Sequence, residues 1–219
     1  MSGIAHCFEQ PYERQSRLVE LGLSEEVVVE IVERGLAARK TCTAFDPPSF
    51  PGYLQWAQMH RASRELLARH DWTPDDSRNF SRVVRGDGAV AVTVATGDEY
   101  TGRKPALGIG IPEPSTRYPK GTETDLAIDV NVQLSLWGDL DTEALETDAP
   151  RPVRQTWWLL SAMVDGELRF ELACPAGQDD RGYIVSWSER IIFEPIPLDA
   201  GRGDDDDPGT AIDVPVERL

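Results

Sequence analysis

A chain of 219 residues with a formal charge of −16 has room for one sizeable domain, and its 40% apolar share with six tryptophans suffices for a packed core. That charge argues against a broad face gripping nucleic-acid phosphates, which needs a basic surface, and against docking on an anionic membrane. Cys7, Cys42 and Cys174 are widely spaced and odd in number, so they make no disulfide framework and no CxxC pair. No basic head followed by an apolar run opens the chain, and no segment approaches the ~20 apolar residues of a membrane span. A reduced cytoplasm is the expected setting.

The N-terminal third reads as helical. Tyr12 to Leu21 forms a short helix. Ser24 then supplies a capping hydroxyl, Glu25 and Glu26 face the positive end of the macrodipole, and Val27, Val28, Ile31, Val32 and Leu36 recur at helical spacing. The proline-rich turn from Asp46 to Gly52 breaks this pattern. Another helix is predicted from Tyr53 to His70, with Trp56, Ala57, His60 and Leu67 facing inward.

From Phe80 the period changes to two. Phe80 to Arg85 and Ala89 to Thr96 flank Gly86-Asp87-Gly88, a hairpin turn. Gly97 to Gly121 is rich in Gly, Pro and Thr and reads as a long loop with a short strand at Ala106 to Ile111. Later, Trp157 to Val164 leads through Asp165-Gly166 into Glu167 to Cys174, where Leu168, Phe170 and Leu172 alternate with charged residues. Tyr183 to Phe193 completes an antiparallel meander that Pro195 and Pro197 end. The expected fold is α+β: N-terminal helices packed on an antiparallel sheet of five or six strands. Residues 1–197 make one domain interrupted by a linker region, 112–155, and residues 198–219 form an acidic tail unable to bury anything.

Within the linker region stands Gln133-Leu134-Ser135-Leu136-Trp137-Gly138. The run resembles the short peptide by which bacterial DNA polymerases and repair proteins dock on the β sliding clamp: a glutamine, an aliphatic residue, a small or acidic one, a leucine and an aromatic. The common final aromatic is phenylalanine; tryptophan followed by glycine resembles the version in polymerase-related mutagenesis factors. The resemblance covers six positions and implies a partner, not an activity. It implies that Gln133 hydrogen-bonds at the mouth of the clamp's cleft, that Leu136 and Trp137 fill apolar pockets, and that Leu134 packs along the edge. Burying those two side chains is worth roughly 1.5–3 kcal/mol each, and ordering the segment takes back several, so affinity near micromolar is expected.

The same residues admit other readings. Leu126, Ile128, Val130, Val132, Leu134 and Leu136 alternate in period two, as a core strand does. Leu126, Val130, Leu134 and Trp137 also share one helical face, with Thr122 or Thr124 as cap.

Other chemistry is sparse. His60 and His70 lie ten apart, not at the i, i+4 spacing of paired helical ligands, so no metal is expected. Gly108-Ile109-Gly110 lacks a third glycine and runs into Pro112, and no P-loop or G-x-S-x-G elbow exists, so no cofactor is expected. Glu167-Leu168-Arg169 has arginine where a nuclease would carry lysine. The expectation is a non-enzymatic cytoplasmic accessory protein of bacterial DNA replication or repair. It docks on the β clamp through Gln133, Leu134, Leu136 and Trp137, without direct nucleic-acid contact. The alternatives are a small binding or regulatory domain with the hexapeptide as a core strand, and a metal-dependent hydrolase or nuclease.

Overall fold

The computed structural model describes residues 5–104, 113–137 and 154–198. Strand β1 (His6–Phe8) precedes helices α1 (Pro11–Leu21), α2 (Glu25–Arg39) and α3 (Phe50–Leu67). Strands β2 (Trp72–Asp75), β3 (Arg82–Arg85) and β4 (Val90–Thr96) follow, then α4 (Thr122–Trp137). Strands β5 (Gln155–Val164), β6 (Glu167–Gln178), β7 (Ile184–Ile192) and β8 (Ile196–Pro197) complete the order.

The fold is α+β; among the described residues eight strands form one sheet in the order β1-β7-β6-β5-β4-β3-β2, with β8 beside β6. The expectation of five or six antiparallel strands is corrected on two points. The very short β1, β2 and β8 carry too few residues to show a period, and two pairs are parallel: β4 with β5 and β1 with β7. A parallel pair needs a long crossover, and the chain between Thr96 and Gln155 supplies it. Both expected hairpins are present. Gly88 (φ 75°) turns β3 into β4, and Asp165 (φ 53°) and Gly166 (φ 76°) make the two-residue turn between β5 and β6.

Both faces of the sheet are covered. On one, Leu18, Val28, Ile31, Val32, Met59 and Leu66 of the first three helices pack on Val92, Trp157, Leu159, Phe170, Leu172 and Ile191. Ser24 caps α2 as expected, its hydroxyl accepting from the Val27 N–H. Helices α2 and α3 approach closely at Gly35, where a Cβ would lie 2.4 Å from Met59 Cγ. The opposite face carries Ala95, Trp158, Leu160, Ala173 and Trp187 and is covered by Ala127 and Ile128 of α4.

The region 112–155, expected as linker, therefore contains a helix, and the period-two reading of Leu126 to Leu136 as a strand is overturned. Helix wins because Thr124, Ala127, Ile128 and Asn131 recur at i, i+3, i+4, i+7 and are the residues buried on the sheet. Three of these four are small or polar, so hydropathy alone does not find the face. The face with Leu126, Val130 and Leu134 is not the buried one: Leu126 is exposed and the other two are half-buried. Asn131 anchors the helix by accepting from the Thr156 N–H and donating to the Thr156 C=O, both at 2.9 Å. Further corrections are smaller. Pro195 and Pro197 do not end the sheet, since Ile196–Pro197 pairs with Glu167 and Leu168. The strand expected at Ala106 to Ile111 and the tail from Asp199 lie outside the described residues, while Leu198 packs against the helical-face core.

Candidate functional site

Strands β4 and β5 run parallel, with Thr96 beside Ser161, so their carboxyl ends lie at the same edge. Past that register β5 continues to Val164, while the chain leaves β4 at Gly97 and folds over the other face. It is pinned there by Asp98, which accepts from the Tyr100 and Ser115 backbones and from the Ser115 hydroxyl. Gly97 permits this sharp exit: a Cβ there would sit 2.0 Å from Thr101 Oγ1. The divergence opens a cleft beyond the strand ends, the place where sheets with parallel strands commonly take ligands.

The cleft encloses about 1040 Å³. One wall is the start of α3 and the turn before it, with Pro47, Phe50, Tyr53, Trp56 and Met59; its floor is Val94 to Gly97 and Ser161 to Asp165; Arg117, Tyr118 and Lys120 close the far side. The aromatics are unusually open: Tyr53 is 61% exposed, Tyr118 59% and Trp56 37%. Trp56 was expected in the core and is not there. The buried face of α3 is Gln55, Met59, Ala62, Ser63 and Leu66 with His60 and Leu67, rotated by one residue from the expected stripe. Trp56 instead stands at the rim, its indole N–H donating to the Val94 C=O at 3.2 Å and its ring 5.8 Å from Tyr53.

His60 lies behind Trp56, edge to face at 4.6 Å. Burial and the positive charge of Arg64 hold its pKa down to about 4, against a hydrogen bond to the Val94 backbone that raises it. The imidazole is therefore neutral at pH 7 and acts as packing. His70 is exposed in the short 3-10 turn Ala68–His70 that follows α3, and among the described residues no group of three or more His, Cys, Asp or Glu is placed to hold a metal ion. The Ser161 hydroxyl hydrogen-bonds Met59 Sδ, a thioether that takes no proton at neutral pH and so is no base for that hydroxyl.

The charges of the cleft are more distinctive. Most arginines of this acidic chain have a carboxylate partner, as in Arg14 with Glu25, Arg17 with Glu189 and Arg82 with Asp75. Arg39 and Lys120 have none among the described residues, and both line the cleft. Burial pushes the Lys120 pKa below its ordinary value. Its backbone is fixed, with its N–H donating to the Gly182 C=O and its C=O accepting from Gln178 Nε2. Of the acids present, Asp98 is fully engaged as above, Asp165 pairs with Arg169, and Glu99 is exposed. Apolar aromatic surface beside unneutralised, partly desolvated cations suits an acidic ligand with apolar groups.

The clamp-type peptide lies elsewhere. Gln133 to Trp137 are the last residues of α4, Gln133 is exposed and Leu134 half-buried, and Gly138 lies outside the described residues. The segment is helical where docking in the known manner needs an extended chain. None of the cleft residues was expected to form a site: Trp56 was read as core and Asp165 as a turn residue. The available signal was indirect: the turn Asp46 to Gly52 and the loop Gly97 to Gly121, both read as connections, are the segments that wall the cleft, and connections carried on a rigid scaffold are where binding residues concentrate. No family model, no curated protein and no solved structure matches this chain.

Proposed function

We propose that the protein is a non-enzymatic, cytoplasmic binding protein whose cleft captures an extended acidic segment of a partner protein. The observation that carries this reading is the cleft itself, with Tyr53, Trp56 and Tyr118 exposed beside Arg39 and Lys120. Exposed aromatics offer large contact area at low entropy cost, and a cation that has already lost part of its hydration gains more from a carboxylate than a fully solvated one does. Selection of random twelve-residue peptides displayed on phage against the immobilised full chain tests it. Sequences combining Asp or Glu with Leu, Ile or Phe are expected to enrich, and Tyr53→Ala/Trp56→Ala is expected to abolish enrichment. No enrichment, or enrichment indifferent to these changes, refutes the reading.

The second element of the proposal is where such an accessory protein docks. The peptide Gln133 to Trp137 fits a β sliding clamp, which would make this a factor of bacterial DNA replication or repair. What favours it is the location: the residues follow the Asn131 anchor at a helix end, where a final turn unwinds at low cost. Purified bacterial β clamp is expected to bind with about micromolar affinity, and Leu136→Ala/Trp137→Ala to remove it. Absence of binding ends the clamp reading and leaves the cleft untouched.

A further inference from the structure

The sequence itself contains a segment of the kind this cleft suits. Asp204 to Asp207 stand in a row and are followed by Pro208, Ile212 and Val214, acids and then apolar groups. The described chain leads to the edge of the cleft just before that segment. Strand β8 pairs with the start of β6, and the Leu198 N–H donates to the Gly166 C=O at 2.9 Å. Gly166 adjoins Asp165, which lines the cleft. The described chain thus ends at the rim. From Leu198 to Asp204 is six residues, a reach of up to about 20 Å when extended.

We infer that segment 199–219 occupies the cleft in cis, with the carboxylates of Asp204 to Asp207 against Lys120 and Arg39 and the following apolar residues on Trp56 and Tyr53. This rests on reading the cleft as a site for acidic segments and adds its regulation: a partner enters only by displacing the segment. Two observations argue for a cis occupant over a second copy. Tethering by a short stretch supplies a local concentration of about 1 mM, and two molecules of net charge −16 repel before they meet. A cis occupant with an intrinsic dissociation constant near 0.1 mM would weaken a competing ligand by about tenfold.

Lys40, Lys104 and Lys120 are the only lysines, so a zero-length carbodiimide coupling of amine to carboxylate reads the contact directly. The full chain, as a mixture of isotopically light and heavy protein, is treated and its coupled peptides weighed. Lys120 is expected to couple to a residue within Asp204 to Asp207, within single molecules, and to lose that coupling in about 0.5 M salt, where screening is strong. Coupling of Lys120 only to other carboxylates, or only between light and heavy molecules, overturns the inference; the latter outcome assigns the cleft to a second copy. In the full-length variant Asp204→Asn/Asp205→Asn/Asp206→Asn/Asp207→Asn, a peptide from the display selection is expected to bind about tenfold more tightly. An unchanged affinity overturns cis occupancy while leaving the cleft as a binding site. Coupling without any selected peptide refutes the partner reading and keeps the cis contact.

Discussion

The two faces of the sheet are covered by different means. Over one lie three helices, and the contact is almost wholly apolar, from Leu18 and Val32 through Met59 to Trp157 and Phe170. Over the other lie one helix and an irregular connection, and a buried polar network runs beside the apolar contacts of Trp158, Leu160 and Trp187. Asn131 is bonded to Thr156, Trp187 Nε1 donates to the Pro114 C=O, and the Thr116 hydroxyl accepts from the Ile184 N–H. Deepest of these is Glu171, wholly buried, which accepts two bonds from Arg190 and one from the Gly102 N–H. The carboxylate beside Arg190 raises the guanidinium's pKa in spite of burial, so that group stays charged. Apolar packing tolerates exchange among shapes of like volume, whereas a polar network has one satisfied arrangement. The second face is thus the one that specifies how the crossover chain lies, and with it how the cleft opens.

The largest effect should come from breaking the buried pair. Glu171→Leu leaves Arg190 charged and unpaired and is expected to cost about 3–5 kcal/mol in urea unfolding, while Glu171→Leu/Arg190→Met recovers most of it. A double variant no more stable than the single one would mean that the pair is not what holds this face.

The first face carries its own pH sensitivity through His60. Its folded pKa lies below the ordinary histidine value, so the unfolded chain binds the extra proton first. The contribution is complete above about pH 6.5 and is lost as pH falls toward 4, up to about 3 kcal/mol. Unfolding curves at pH 7 and pH 4.5 should show this loss in the parent and not in His60→Gln. Asp75, held below the usual carboxylate range by Ser77 and Arg82 although burial opposes it, loses its contribution only at still lower pH.

Asn131→Ala should cost about 1–3 kcal/mol, because the Thr156 N–H and C=O are left buried without a partner. Hydrogen exchange at Thr156 should accelerate while amides of β7 stay protected. The smallest effect is expected at the cleft. Arg39→Ala removes no ion pair among the described residues and should change stability by less than about 0.5 kcal/mol, yet weaken binding of a selected acidic peptide. A large loss of stability there would make Arg39 a structural residue.

The difference between the faces also explains what could be read in advance. Helix α2 was legible because Ser24 caps it and its apolar positions are large and regularly spaced. The hairpin at Asp165-Gly166 was legible because few residues accept two successive positive φ angles. Helix α4 was ambiguous: its buried positions, Thr124, Ala127, Ile128 and Asn131, carry little hydropathy signal, and its larger side chains alternate like a strand. Trp56 misled for the opposite reason, since a large aromatic at core spacing was placed inside and stands at the rim of the cleft.

By itself the sequence determined the α+β class, the two hairpins and the N-terminal helices, all of which depend on local spacing, capping and turn geometry. It also carried the clamp-like peptide as a pattern of six residues. Only the tertiary structure decided the parallel pairing of β4 with β5 and the seating of α4. It alone brought together Arg39, Trp56 and Lys120, because residues 39 and 120 meet at one cleft through long-range packing that no local period records.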